Sequence, residues 1–427
     1  MRVQFLNQIH YNIEGRIKQV KMFSGIKLFF FIMLFFPSIT FGLLTAEIFP
    51  WAIIGTALFF KKYSKNFIYV ICFFIISWML SFFIHGPTDT IRSLASYMNT
   101  LYAFAFMVSI SQLEVMKFIK LVKIIFFFSL TLGLIQYLNL IDFTDNFIKL
   151  IIPRGSSIAS IESNRGVRLL ASEPARAGNE LIFFYLLVRY VYIKIKHRIF
   201  SDIFFALYLL VIIQSFMVFA FFAFFLVLNL KLKSIIILLF SSLVFIYHGI
   251  AFSGGRSIDL IMNIVALRNW NEILFLLANS SGNRLITIYS SYIYGVYFPL
   301  GSGLGNWFNG SIEAIKMSEI DVSEFSYYRV LGNGGIVGSR SSGFLSNLIL
   351  ETGIFGFLFI LRYILKVLKK YWYISRDSKI VIISFLFKIL FIGSVGHPIA
   401  WVVVILILRY MYIENNKNNQ VNYYRNE

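Results

Sequence analysis

Cysteine, acidic residues and charge in general are scarce in this chain. The single thiol, Cys72, lies inside an apolar run, which excludes an internal disulfide and any cysteine-based zinc site. Asp and Glu together number only 20 in 427 residues, and charged residues of both signs make up 14% against 58% hydrophobic. With a mean hydropathy of +0.76, the composition lies outside the range of soluble globular domains. There is no internal repeat and no low-complexity linker. The first apolar run, preceded by Arg16, Lys18, Lys21 and Lys27, is not followed by a small-residue cleavage site. It is therefore expected to be an uncleaved membrane span rather than a signal peptide. The formal net charge of +19 would point to nucleic acid in a soluble chain. In a membrane chain the excess of Lys and Arg on cytoplasmic loops accounts for it, and no nucleic-acid partner is expected.

What is abundant is apolar and aromatic: 49 Phe, which tolerate lipid, and 24 Tyr, which prefer the interface. Taking about 17–25 apolar residues per crossing, the chain reads as an all-α polytopic integral membrane protein. Its candidate spans are 26–43, 47–60, 67–84, 94–110, 118–140, 180–195, 199–215, 217–230, 234–250, 343–365, 380–395 and 399–412. These make twelve spans, or eleven if one tilted helix covers the two on either side of 214–216. With the N-terminus inside, the short inner links are basic: Lys61, Lys62 and Lys65; Lys117, Lys120 and Lys123; Lys194, Lys196 and Arg198; Lys231 and Lys233; Lys366, Lys369 and Lys370. The short outer turns at 45–46, 85–93 and 396–398 carry almost no basic residues, and both termini fall on the cytoplasmic side. The tail 414–427 is expected to be disordered.

Two polar segments fall on the outer side, 142–179 and 251–342. They hold Arg154, Arg165, Arg168, Arg176, Arg256, Arg268, Arg284, Arg329 and Arg340 but only Lys149 and Lys316. Topology alone needs no such preference for arginine, whereas a guanidinium fork presents paired donors that match phosphate oxygens. The densest island is 164–180, NRGVRLLASEPARAGNE, with Arg165, Arg168, Arg176, Glu173 and Glu180. In the longer segment, 258–277 and Arg284–Tyr297 are expected to be helices lying on the membrane or capping a cavity. A Pro/Gly turn at 298–305 ends the second of them. The glycine spacing of that turn superficially matches a nucleotide loop, but no strand precedes it. The interval 313–333 is polar and expected to be mobile.

Each candidate has a plain alternative. Arg165, Arg168 and Arg176 bind a phosphate or merely lipid headgroups, and Arg284 and Arg340 are contacts of the same kind. Arg256 and His248 sit where headgroup contact is the default. Glu173 is a general base or a loop-capping carboxylate. Glu351 lies inside a span, where an arginine partner is expected. His397, beside Pro398, is a proton acceptor or an interfacial hydrogen-bonding group. Lys388, mid-span, is expected to face the bundle interior. Tyr292 and its neighbours Tyr289, Tyr294 and Tyr297 stack on sugar faces or belong to an interfacial belt.

Three local patterns carry a resemblance: RGVRLLASEPARAGNE at 165–180, Arg284 followed by LITIYSSYIYGVYFPLGSGLGNW, and SSGFLSNLILETGIFGFLF at 341–359. Together with the span pattern they resemble the O-antigen polymerase (Wzy) family and its relatives, the O-antigen ligases. Ligases usually carry a His-Asn pair near the place where Ser341–Gly343 stand. The segment 251–342 has no histidine, which favours polymerase. The resemblance implies a glycosyltransferase of the bacterial inner membrane that polymerises undecaprenyl-pyrophosphate-linked repeat units on the periplasmic face. It also implies a chain-length regulator and other O-antigen assembly proteins as partners. In that frame Arg168, Glu173, Arg284 and His397 are the candidate catalytic residues. Arg165, Arg176, Arg256, Arg340, Glu351 and Tyr292 are the candidate substrate-binding residues. No Asp-x-Asp or His/Asp cluster occurs in the outer segments, so metal-independent chemistry without a cofactor is expected. The rival readings are a lipid-linked oligosaccharide flippase, a ligase and an ion-coupled transporter.

Overall fold

The structure is a computed structural model that describes residues 25–43, 48–59, 64–85, 90–138, 148, 150–152, 166–229, 263, 269–280 and 283–425. The main elements among them are helices. They are α1 Gly25–Met33, α2 Trp51–Phe59, α3 Lys65–His85, α4 Thr90–Ser109, α5 Gln112–Tyr137, α6 Pro174–Val191, α7 Arg198–Tyr208 and α8 Phe216–Asn229. After these come α9 Trp270–Ser280, α10 Arg284–Tyr297, α11 Trp307–Met317, α12 Ser326–Gly332, α13 Phe344–Trp372, α14 Arg376–Phe391 and α15 Ile399–Arg425.

Among the described residues four helices are long and apolar enough to cross a membrane: Lys65–Ile84, Gln112–Tyr137, Phe344–Trp372 and Ile399–Lys417. Apolar on every side, they divide by what surrounds them. On α15, Val402 to Leu408 are wholly buried among α4, α5, α6, α13 and α14, so this helix is the axis of the bundle. On α3 and α5, by contrast, Leu80, Phe83, Ile84, Ile124, Phe127 and Phe128 lie exposed, as expected of side chains that meet lipid.

Several predicted boundaries shift. α6 begins at Pro174, with proline at the first helical position where its missing N–H costs nothing, so the span predicted from 180 starts earlier. α14 ends at Phe391, and 392–395 leave the helix. α15 runs on to Arg425, through a tail expected to be disordered. The apolar stretch 199–230 forms two elements: α7 with the π-turn Leu209–Ile213, then α8, separated by Gln214 at φ +51°. Arg284–Tyr297 is helical as predicted. The interval expected to be mobile holds α12 and a small core of Ile286, Ile315, Val322, Phe325 and Tyr328. The predicted span 234–250 and most of 142–165 and 251–268 lie outside the described residues.

One helix is broken, and the break is filled. Gly353 in α13 adopts φ +64°, ψ −170°. The turn after α10 inserts there: Ser302 N–H donates to Leu350 O (2.9 Å), Gly303 N–H to Glu351 O (3.0 Å) and Phe355 N–H to Pro299 O (3.4 Å). Backbone groups freed by a break in an apolar surrounding need such partners, and the Pro-Leu-Gly-Ser-Gly turn supplies them. At the end of α6 facing the lysine-rich links, a buried clamp joins α6 to α7. Arg189 grips Asp202 through Nε (2.7 Å) and a second nitrogen (3.0 Å), and the Tyr185 hydroxyl donates to the same carboxylate (2.5 Å).

Candidate functional site

At the end of the bundle opposite the lysine-rich links lies a cavity of about 900 Å³. The first turns of α4, α6, α10 and α11, the strand of chain leading into α13, and the turn between α14 and α15 all reach it. Several helix N-termini therefore converge on one space, and their partial positive charge favours an anion there. The lining carries four arginines, Arg92, Arg176, Arg284 and Arg340, and one lysine, Lys388, against a single carboxylate, Glu173.

Each cation is held differently. Arg176, in the first turn of α6, donates to the Ser172 hydroxyl (2.7 Å) just before that helix. Arg284 reaches Glu173 Oε2 at 3.4 Å in a pair that stays partly open, 30% and 46% exposed. Arg340 lies over the Trp307 ring, 5.3 Å from its centroid, and donates to the Ser93 hydroxyl. That hydroxyl lies 3.4 Å from Glu351 Oε1, so the expected arginine partner of this buried carboxylate is reached through a serine rather than directly. Arg340 Nε is buried and has no hydrogen-bond partner among the described residues.

His397 enters the cavity from the turn between α14 and α15. Its Nε2 lies 2.7 Å from Glu180 Oε1, the carboxylate one and a half turns into α6. Burial, then the Arg176 and Lys388 charges, push the imidazole well below its ordinary value. The contact is therefore a hydrogen bond of a neutral ring rather than an ion pair.

Of the residues singled out from sequence, Glu173, Arg176, Arg284, Arg340 and His397 meet at this cavity. Arg168 lies behind it in the turn before α6, donating to Ser172 O at 3.4 Å, and does not line it. Glu351 is buried beneath Arg340. Tyr292 is not at the cavity: its hydroxyl donates to Leu390 O (3.0 Å) and its ring packs on Phe357 and Phe391, which makes it a tie between α10 and α14. Arg165 and Arg256 lie outside the described residues. Arg92 went unremarked in the sequence, although it is the only basic residue of the outer turn 85–93. The role of Glu180 as a histidine partner left no sequence signal, since 217 residues separate the two. Among the described residues no group of three or more His, Cys, Asp or Glu is arranged to hold a metal ion.

No family model, curated protein or solved structure matches the chain. Function is therefore argued from the site.

Proposed function

We propose that this chain is a membrane glycosyltransferase of the O-antigen polymerase kind, joining glycan repeat units carried on undecaprenyl pyrophosphate. One observation carries the reading: a cavity of about 900 Å³ in which four arginines and Lys388 face one carboxylate, with a neutral histidine held by Glu180 at the same surface. A flippase moves its substrate without bond making and needs no base, whereas a proton-coupled transporter would use the same His397–Glu180 pair as a relay; glycan extension by the purified protein separates the readings. The ligase reading keeps its lack of a histidine in 251–342 against it. In this reading the chain spans the bacterial inner membrane twelve times and the cavity opens to the periplasm, because it lies opposite the lysine-rich links.

The chemistry follows from the geometry. The scheme requires Glu180 ionised, so that His397 Nε2–H donates to it and the lone pair stands on Nδ1. That lone pair takes the proton of the acceptor sugar's hydroxyl as its oxygen bonds to the anomeric carbon of the donor. The bond from that carbon to the phosphate oxygen breaks, and the lipid pyrophosphate leaves with the electron pair. Arg176, Arg284 and Arg340 stabilise the charge that builds there, each well-placed donor contributing about 3 kcal/mol. Glu173 serves in this scheme as the partner of Arg284 rather than as the base.

Purified protein in detergent, given lipid-linked repeat units and no sealed compartment, should lengthen the glycan, with EDTA present or absent. Binding of the lipid-linked unit without any extension sinks the enzymatic reading. Polymer found on lipid A core instead of on the lipid pyrophosphate would move the assignment to ligase.

A further inference from the structure

The anion site read from the sequence is made of arginines in the two outer segments. The most buried basic side chain of the cavity lining belongs to neither. Lys388 sits in the last turn of α14, 7% exposed, and lines the cavity. Among the described residues its ammonium makes no hydrogen bond and no ion pair. The nearby carboxylates are engaged, Glu180 with His397 at 2.7 Å and Glu173 with Arg284 at 3.4 Å. Holding a buried amine protonated without a hydrogen-bonded partner is costly; the neighbouring Arg284 and Arg176 charges raise that cost and Glu180 offsets part of it.

The backbone is shaped around this amine. Gly393, at φ +103° in the turn that follows α14, faces it so closely that a Cβ there would come within 2.7 Å of Nζ. The same turn is anchored, since Gly393 O accepts from Gly343 N–H (2.7 Å) at the start of α13. Next in the turn, Ser394 lines the cavity with its hydroxyl oxygen buried and without a partner among the described residues.

We infer that Lys388 and the Gly393–Ser394 turn form a phosphoryl-binding subsite of the cavity, built on α14 and the turn after it and bordered by Arg176. A compact ammonium with three donors, beside a hydroxyl and with Arg176 close by, suits the tetrahedral oxygens of a phosphate group better than a planar carboxylate. The identity of the ligand as the departing pyrophosphate rests on the polymerase reading. The phosphoryl chemistry does not, and a phospholipid headgroup offers the same oxygens.

Reductive methylation of the wild-type protein, read at each lysine by mass spectrometry, tests this without a variant. Inorganic pyrophosphate in phospholipid-free detergent should shield Lys388 but not Lys366, which lies near the opposite end of the bundle. Shielding seen only in phosphatidylglycerol nanodiscs assigns the subsite to a headgroup. Lys388→Met should weaken pyrophosphate binding about tenfold or more, as expected for loss of a charged hydrogen bond, and Lys388→Arg should recover part of it. Lys388 methylated equally under all conditions overturns the subsite, even if glycan extension is observed. Shielding without glycan extension leaves the subsite standing and removes the polymerase reading.

Discussion

His397 shows how much a single residue draws from its surroundings. Alone it is an imidazole at a helix end. Here Glu180 holds one nitrogen and burial keeps the ring neutral, the state a base requires. His397→Gln should lower the extension rate by about 10²–10⁴-fold with the fold retained, and Glu180→Gln, which only loosens the ring, should lower it less. The depressed value also bears on stability. As pH falls, the unfolded chain takes up the histidine proton first, so the stabilisation is complete above 6.5 and is lost progressively below it. Melting in detergent should therefore weaken below that pH in the wild type and less steeply in His397→Gln. Arg284 is the converse case. Its open pair with Glu173 contributes little to stability, so Arg284→Ala should melt almost normally yet lose about 10²-fold in extension rate. Arg284→Lys should recover only part, because the paired donors are gone; full recovery would show that charge alone suffices.

Among the elements, α13 is the one whose break the rest of the outer end is built on. At φ +64°, ψ −170° Gly353 occupies a region open almost only to glycine, and a Cβ there would run into the Pro299 carbonyl of the inserted turn. Gly353→Ala should destabilise by about 3 kcal/mol or more, summing backbone strain and displacement of the turn. Gly334→Ala has positive φ but open space around it, so it should cost only about 1 kcal/mol. Equal melting of the two variants would contradict this account of the break. At the other end of α6, Asp202→Ala strands Arg189 in a buried site and should cost about 3–5 kcal/mol. Replacing both partners with apolar residues should restore most of that loss, measured by thermal unfolding in detergent.

For the whole molecule, the segregation of lysine from arginine along the sequence reappears in the fold. The lysine-bearing links and the arginine-lined cavity lie at opposite ends of the bundle. Cys72 is exposed on the apolar side of α3, so its replacement by alanine should be tolerated and leave a cysteine-free background. In that background Asn283→Cys should react with a membrane-impermeant maleimide in intact cells and Lys366→Cys should not; the reverse pattern would remove the periplasmic assignment. Much of this was legible in order along the chain. Hydropathy marked the apolar helices, the 298–305 turn marked the end of α10, and the arginines of 142–179 and 251–342 marked part of the cavity lining. What hydropathy could not separate was α15, buried on every side, from α3, half exposed, because apolar all round describes both. It also started α4 late, missing the polar first turn with Arg92, and ended α15 early because the tail is polar. The sequence by itself determined that the chain is helical and apolar, and that its arginines and lysines are segregated. Only the tertiary structure decided that Glu180 meets His397, that Lys388 joins the arginines and that Tyr292 does not. Those facts depend on contacts between helices far apart in the chain, which local pattern does not encode.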